Sequence, residues 1–162
     1  MNSEATSVRI VGWREWLALP ELGMPAIKAK IDSGARSSAL HVVWQRRTTQ
    51  GGVPWVRFAV EADGANAGIV ESENQIIDER DVTDSGGHTT RRPFIRTRLV
   101  LAGHAWDVEI NLADRRRMLF AMLLGRTAMS GRLAVDPALS FTLKRPSDAG
   151  TNVAQRSFGE SP

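Results

Sequence analysis

One short stretch of the sequence carries residue types that suit hydrolytic chemistry. Apolar and charged residues alternate over residues 27–31, and this segment leads directly into Asp32-Ser33-Gly34-Ala35. The alternation has the period of a half-buried strand. A carboxylate that activates water must be held at a fixed point, and a strand that ends in a tight turn delivers it there. The pattern indicates Asp32 as a catalytic carboxylate, with Ser33 beside it and Gly34 allowing close approach of the backbone.

A second Asp-Ser-Gly sequence occurs at residues 84–86 and is a candidate for the other half of a two-carboxylate site. Residues 79–83 before it show no apolar alternation, and Gly87 extends the turn signal. Asp, Ser and Gly are also among the commonest turn residues. We therefore interpret this segment as the tip of a hairpin.

The rest of the chain reads mainly as short strands. The hydrophobic run at residues 118–124 ends at Gly125, which favours a strand, and a short helical turn is possible over 126–130. Residues 61–78 have the composition of a loop. Strand patterns are present at residues 56–60, 95–101, 106–112, 133–135 and 141–143, and a turn at residues 102–104 joins the second and third of these into a hairpin.

Length and composition indicate one ordinary domain. A chain of 162 residues can bury a sizeable core without disulfides. We expect a flexible N-terminus over residues 1–7, a folded domain over 8–145 and a disordered tail over 146–162, which is rich in polar residues. No hydrophobic run approaches the length of a membrane span, and the N-terminus lacks a signal-peptide pattern, so the expected location is cytoplasmic.

Several classes of site have no support in the sequence. With no cysteine, thiol catalysis and cysteine-based zinc sites are excluded. The three histidines, His41, His88 and His104, lack the spacing of a His-Glu-x-x-His motif, and there is no Gly-x-x-x-x-Gly-Lys phosphate loop. The expectation is therefore no metal and no cofactor.

Asp32-Ser33-Gly34-Ala35 resembles the active-site signature of retroviral-type aspartic proteases, the retropepsins. The resemblance continues in the same order along the chain. A glycine-rich hairpin corresponds to residues 84–88, a strand pair to residues 94–101 and 106–112, and a Leu-Leu-Gly-Arg segment to residues 123–126. Extra length lies chiefly at residues 45–80. The resemblance implies a mostly β fold, a small closed barrel of the retropepsin type with one short helix.

A bacterial family labelled "ATP-dependent zinc protease" and regarded as retropepsin-like is a closer match. Its members are associated with an ATP-grasp ligase that adds glutamates to a ribosomal protein, which suggests processing of acidic tails. One departure is Ser33, where threonine is commoner. The similarity covers residues 8–143 and rests on six motifs: residues 11–15, 30–35, 38–41, 92–93, 122–126 and 135–137.

The resemblance implies an aspartic peptidase that works as a homodimer. Two carboxylates must share one proton, and a two-fold axis would bring the two copies of Asp32 together. It places Ser33, Gly34, Ala35, Gly125 and Arg126 in support of the carboxylate. Ser85, Gly86 and Gly87 would form a flap over substrate, and Arg36 and His41 are candidates for residues behind the site.

The cations of the sequence leave other interpretations open. Of 21 cations only Lys28, Lys30 and Lys144 are not arginine, and the net charge is +3. Arginine forks bind carboxylate or phosphate, so an acidic peptide is one partner. Nucleic acid is a rival, since basic clusters occur at residues 46–47, 91–92 and 115–117, but acidic residues are interleaved with them. An inactive, protease-like binding module is the third interpretation.

Overall fold

The computed structural model describes residues 7–62, 68–114 and 119–146. The expected flexible N-terminus and disordered tail lie outside this part of the chain except for residues 7 and 146, and so does the arginine cluster at 115–117. Apart from a 3-10 turn at Pro20–Leu22 and one short helix, α1 (Arg126–Met129), the regular structure is strand. The strands are β1 (Arg9–Val11), β2 (Arg14–Leu19), β3 (Met24–Asp32), β4 (Ser38–Val42), β5 (Trp44–Gln50), β6 (Val53–Val60), β7 (Val70–Gln75), β8 (Asp78–Thr83), β9 (Thr89–Leu101), β10 (His104–Asp114), β11 (Met122–Gly125) and β12 (Leu133–Val135).

Six strands close into a barrel in the order β10-β4-β11-β3-β2-β9, with β9 pairing back onto β10. The β3–β11 and β4–β10 pairs are parallel, whereas β2–β3, β4–β11 and β9–β10 are antiparallel. The predicted mostly β, closed barrel with one short helix is confirmed. Within the described ranges no helix is long and apolar enough to cross a membrane.

The alternation in β3 explains how the strand that ends at Asp32 is held. Ile27, Ala29 and Ile31 are buried, whereas Lys30 between them is exposed. One face of the strand therefore belongs to the hydrophobic core, and a shift of one residue would turn that face to solvent. The core also contains Leu17, Leu40, Ile95, Leu99, Ile110, Leu112, Met122 and Leu124.

The long strand β9 belongs both to the barrel and to a hairpin that extends from it. Its second half pairs with β10 in the barrel, and its first half pairs with β8 to form a separate hairpin. Phe94 is the changeover, because it pairs with Asp78 of β8 and with Asn111 of β10. The predicted hairpin formed by residues 95–101 and 106–112 is confirmed as β9–β10. The barrel wall thus continues directly into the β8–β9 hairpin.

A second sheet, in the order β5-β6-β7, contributes the buried side chains Val56, Phe58 and Val60 to the same core. The prediction of a loop over residues 61–78 is wrong where the structure describes it, because β7 and the start of β8 lie there. Residues 63–67 lie outside the part of the chain that the structure describes. Strand β7 alternates half-buried and exposed residues that are nearly all polar, so hydrophobic alternation gave no signal. The same reason applies to β8 at residues 79–83.

The two ends of the described chain lie together. Strand β1 runs parallel to β12, and the prediction of a strand at residues 133–135 is confirmed. The prediction of a strand at residues 141–143 is wrong. Phe141 has a φ of 48°, outside the extended region, and the amides of Thr142 and Leu143 donate to the side chain of Glu15 instead of to a strand.

Candidate active site

Asp32 is the last residue of β3, and the turn after it fixes its carboxylate. Oδ1 of Asp32 accepts a hydrogen bond of 2.9 Å from the amide of Gly34, and the main-chain carbonyl accepts one of 3.2 Å from the amide of Ala35. A Cβ at position 34 would lie 3.2 Å from the same Oδ1, which favours glycine there. Asp32 is half-buried, and Ser33 is exposed. The carboxylate is therefore oriented yet still reached by solvent.

Gly125 lies directly against this turn. It pairs with Asp32 in the parallel β3–β11 ladder, and its amide donates to the buried hydroxyl of Ser38 at 3.0 Å. A Cβ on Gly125 would lie 2.5 Å from the carbonyl oxygen of Ser37 and 3.0 Å from that of Ala35. Only glycine allows β11 to approach the turn this closely.

The first residues of α1 hold the other side of the turn. The amide of Arg126 donates to the carbonyl of Ala35 at 2.8 Å, and its Nη1 donates to the carbonyl of Gly34 at 3.2 Å. The hydroxyl of Thr127 donates to the carbonyl of Arg36 at 2.9 Å. Arg126, which the resemblance places in support of the Asp32 carboxylate, contacts the turn through the carbonyl of Gly34. The carbonyl groups of the turn thus accept hydrogen bonds from both the backbone and the side chains of α1.

A cleft of about 710 Å³ opens between this turn and the β8–β9 hairpin. Three guanidinium groups, those of Arg36, Arg80 and Arg126, line it. Arg80 stacks 4.4 Å from the ring centroid of Phe94 and pairs with Asp78 and Glu109. These carboxylates raise the pKa of Arg80, and the hydrogen bond that Arg80 donates to Asp78 is the largest cause. The remaining lining residues are Gly34, Ala35, Ser37, Asp81, Val82, Thr83 and Phe94.

The second Asp-Ser-Gly sequence is the tip of the β8–β9 hairpin, as predicted. Oδ1 of Asp84 accepts hydrogen bonds from the amides of Gly86 at 2.9 Å and His88 at 3.0 Å. These amides, that of His88 first, lower the pKa of Asp84. Its carboxylate therefore stabilises the hairpin tip. Residues 80–83 line the cleft, whereas Ser85, Gly86 and Gly87 are not among its lining residues, and their role as a flap stays a prediction.

The two residues expected behind the site lie in different places. Arg36 is exposed and lines the cleft. His41 is buried near the end of β4, and its Nδ1 lies 2.8 Å from the carbonyl oxygen of Phe120. This contact fixes the segment that leads into β11. Nowhere in the described ranges do three or more His, Cys, Asp or Glu side chains form a group that could hold a metal ion.

Residues 10–146 match a family model described as "Retropepsin-like aspartic endopeptidase RimB". The chain belongs to this retropepsin-like aspartic endopeptidase family. The matched residues include the Asp32 turn, the hairpin, and the Gly125 segment that packs against the turn. The closed barrel thus has the architecture expected of a retropepsin-like chain.

Relatives of this retropepsin-like chain bear a different name. Proteins from Shewanella halifaxensis and Desulfotalea psychrophila, each named "Probable alpha-L-glutamate ligase", are 44% and 42% identical to it over 140 and 142 residues. The alignments cover 86% and 87% of this chain but 31% of each relative. The chain therefore spans about a third of the length of these curated relatives.

A crystal structure of a Legionella pneumophila protein of unknown function has the same fold. It superposes on the retropepsin-like chain with a TM-score of 0.70 at 31% sequence identity, and the match covers 85% of this chain and all of that one.

Several polar residues near the site had no predicted role, although Glu15, Ser38 and Arg92 lie within the motifs that carry the family resemblance. Ser38 and Asn111 are almost completely buried, and Arg92 is partly buried, so that burial lowers its pKa. Glu15 has no exposed surface and lies on β2. A polar residue within an apolar strand was the available signal for Asn111, which lies between Ile110 and Leu112. Glu15 lies in the motif at residues 11–15, but no local pattern predicts that its side chain is buried.

Proposed function

We propose that this chain is an aspartic endopeptidase that acts as a homodimer, with Asp32 from each subunit forming the catalytic pair. The observation that carries the proposal is the Asp32 turn. The Gly34 amide orients its carboxylate, and Gly34 and Ala35 of the same turn line an open cleft. Asp32 and Asp84 are the first residues of the two Asp-Ser-Gly sequences. Because the Asp84 carboxylate caps the hairpin tip, one chain supplies half of a pair, and a two-fold axis supplies the rest.

The chemistry follows from two carboxyl groups that share one proton. The ionised carboxylate accepts a proton from water, and the water oxygen forms a bond to the peptide carbonyl carbon. The protonated partner donates its proton to the carbonyl oxygen. Collapse of this intermediate breaks the C–N bond, and the leaving nitrogen takes the proton that the first carboxylate accepted from water. A hydroxyl group of the intermediate returns its proton to the second carboxylate, which leaves a carboxylic acid product and a pair that again holds one proton. The proton belongs to the pair as a whole, since both carboxyl groups titrate together.

The cleft supports an acidic peptide as substrate. Three arginines line it, and arginine binds carboxylates through paired donors. Arg36 has no ion pair with another described residue, so its guanidinium is available. The relatives' name, a glutamate ligase, points to the same class of substrate, namely peptides that contain several glutamates. The ligase activity itself is named for proteins about three times as long as this chain.

Digestion of a peptide library enriched in glutamate tests the proposal. The native protein and Asp32→Asn are compared, because asparagine can still accept the Gly34 hydrogen bond but cannot act as the base. We expect the variant to lose a factor of about 10²–10⁴ in kcat, the usual contribution of acid–base catalysis. Asp136→Asn is the matched control, since Asp136 caps the amide of Ala138 at 2.9 Å in a similar turn. It should cleave at the native rate.

Sedimentation measured under the assay conditions tests the homodimer. We expect activity to follow the dimer as the protein is diluted. A fully active monomer would contradict the shared Asp32 pair, and equal cleavage by native protein and Asp32→Asn would contradict the aspartic mechanism. Loss of activity on chelation, together with an active Asp32→Asn, would favour a metallopeptidase instead.

A further inference from the structure

A chain of polar contacts runs from the β8–β9 hairpin to the residue beside Asp32. Nη1 of Arg92 on β9 donates to Oδ1 of Asn111 at 3.0 Å, and Nδ2 of Asn111 donates to the carbonyl of Ser38 at 2.9 Å. The hydroxyl of Ser38 accepts from the amide of Gly125 at 3.0 Å. Gly125 is the ladder partner of Asp32. We call Arg92, Asn111, Ser38 and Gly125 the polar chain.

The hairpin end of the polar chain is tied to the cleft. Arg92 pairs with Arg80 across the β8–β9 ladder, and Arg80 lines the cleft. Nε of Arg92 also donates to the hydroxyl of Thr90, whose ladder partner, Val82, lines the cleft as well. A displacement of the hairpin therefore changes the position of a guanidinium group that is bonded to Asn111.

The interior of the polar chain is dry. Asn111 is 1% exposed and Ser38 is 0% exposed. Polar groups buried in this way must keep their hydrogen bonds, because a buried group without a partner lowers the stability of the fold much more than an exposed group does. Asn111 is suited to this place because it supplies one acceptor to a cation and one donor to a carbonyl. Neither aspartate nor leucine at position 111 provides both.

We infer that Asn111 is a positioning residue, which couples the hairpin to the Asp32 turn through Ser38 and Gly125. One end of the polar chain is on the β8–β9 hairpin and the other is beside the Asp32 turn. Its buried residues, Asn111 and Ser38, must keep their hydrogen bonds. A hairpin held in one position thereby favours one position of the backbone next to the catalytic carboxylate. The inference deepens the proposed function and rests on it for its effect on catalysis, but the coupling itself is measurable without substrate.

Amide hydrogen exchange followed by NMR tests the coupling. Arg92→Met keeps the length of the side chain and removes its donors. We expect exchange at the Gly125 amide to quicken about fivefold to tenfold, the effect of weakening one buried hydrogen bond. The amide of Ile31, which donates to the carbonyl of Trp13 just before β2 at 2.8 Å, should keep its native rate. Arg92→Lys, which retains a donor, should restore slow exchange at Gly125.

Arg96→Met is the matched control. Arg96 lies on the same strand, is 60% exposed and pairs with Glu109 at 3.4 Å, away from the polar chain. Arg96→Met should leave the exchange rates of the Gly125 and Ile31 amides unchanged. If Arg92→Met does not fold, Thr90→Val is the substitute, because it removes only the hydrogen bond between Arg92 and the Thr90 hydroxyl. We then expect the exchange rate of the Gly125 amide alone to rise about twofold. An unchanged Gly125 amide, or equal acceleration at Gly125 and Ile31, would overturn the inference.

Kinetics separate this inference from the proposed function. We expect Arg92→Met to lower kcat about tenfold with KM within about twofold of native, since a hydrogen bond that orients the site acts on the transition state. Arg92→Lys should recover most of kcat. Absence of cleavage by the native protein would refute the peptidase proposal while leaving the exchange result to decide the coupling. A native kcat in Arg92→Met would refute the role of the polar chain in catalysis.

Discussion

Gly125 pairs with Asp32 where β11 runs parallel to β3, and a side chain at position 125 would overlap the backbone of Ser37. We predict that Gly125→Ala displaces the turn that carries Asp32. Because the neighbouring atoms are main chain, the overlap should cost about 1–3 kcal/mol in the free energy of unfolding. It should also lower kcat at least about tenfold, through misplacement of the carboxylate. Urea unfolding and peptide cleavage measure the two effects.

Gly103→Ala is the control for this prediction. Gly103 has a φ of 78° in the β9–β10 turn, so alanine there is strained by about 1 kcal/mol, but nothing lies within 4 Å of its Cβ. A comparable loss of stability with a native kcat is expected. If both variants lose kcat in proportion to their stability, Gly125 has no special role in placing Asp32.

Several strands and the Asp32 turn were predictable because their signals are local, whereas the closed barrel was implied by the resemblance to retropepsins. Alternation of Ile27, Ala29 and Ile31 identifies β3, and Asp-Ser-Gly after a strand identifies a turn. The order of the retropepsin-like motifs identified Gly125 and Arg126 as site residues, and both lie at the turn in the structure. Strands β7 and β8 were missed because both faces of each strand carry mainly polar residues, so that neither shows hydrophobic alternation.

The support behind the turn was not predictable from sequence for a different reason. Arg92, Asn111 and Ser38 lie on three strands, and their hydrogen bonds depend on the register between those strands. The same holds for Glu15, which accepts a hydrogen bond from the amide of Thr142, 127 residues further along the chain. Residue type alone says that such groups are polar, and only the tertiary fold shows that they are buried.

The cleft arginines should set the preference for acidic peptides. We predict that Arg36→Gln raises KM for a glutamate-rich peptide about threefold to tenfold, because an exposed charge contributes a modest amount to binding. The effect should shrink as salt is added, and kcat should change little. Steady-state kinetics at low and high ionic strength measure both.

Arg57→Gln is the matched variant for this test. Arg57 is exposed on β6, outside the cleft, and its replacement removes the same charge from the molecule. KM should remain native. A similar rise in KM for both variants would mean that overall charge, and not the cleft, attracts the peptide.

The hairpin tip should loosen in acid. The pKa of Asp84 lies below its usual value of 3.8, mainly because of the His88 amide, so the folded tip favours the ionised carboxylate. The resulting stabilisation is present above pH 3.8 and is lost as the pH falls through the lowered pKa. NMR shifts of the Gly86 and His88 amides should titrate together in that window. In Asp84→Asn this transition should vanish, and its persistence would contradict the assignment to Asp84.

Glu15 should anchor the end of the described chain. Its carboxylate is fully buried and accepts hydrogen bonds from the amide of Gly12 at 2.7 Å and the amides of Thr142 and Leu143, each at 3.1 Å. It also accepts from the hydroxyl of Thr142. In Glu15→Gln the amide nitrogen must face donors, so the free energy of unfolding should fall by about 1–3 kcal/mol.

The midpoint of urea unfolding measures this loss, and exchange at the Thr142 and Leu143 amides locates it. Glu109→Gln is the control, because Glu109 forms only exposed ion pairs, with Arg80 and Arg96, and should cost less than about 1 kcal/mol. Equal midpoints for the two variants would show that the buried carboxylate is no stronger an anchor than a surface charge. Faster exchange at Thr142 and Leu143 in Glu15→Gln alone would show that Glu15 holds the two ends of the described chain together.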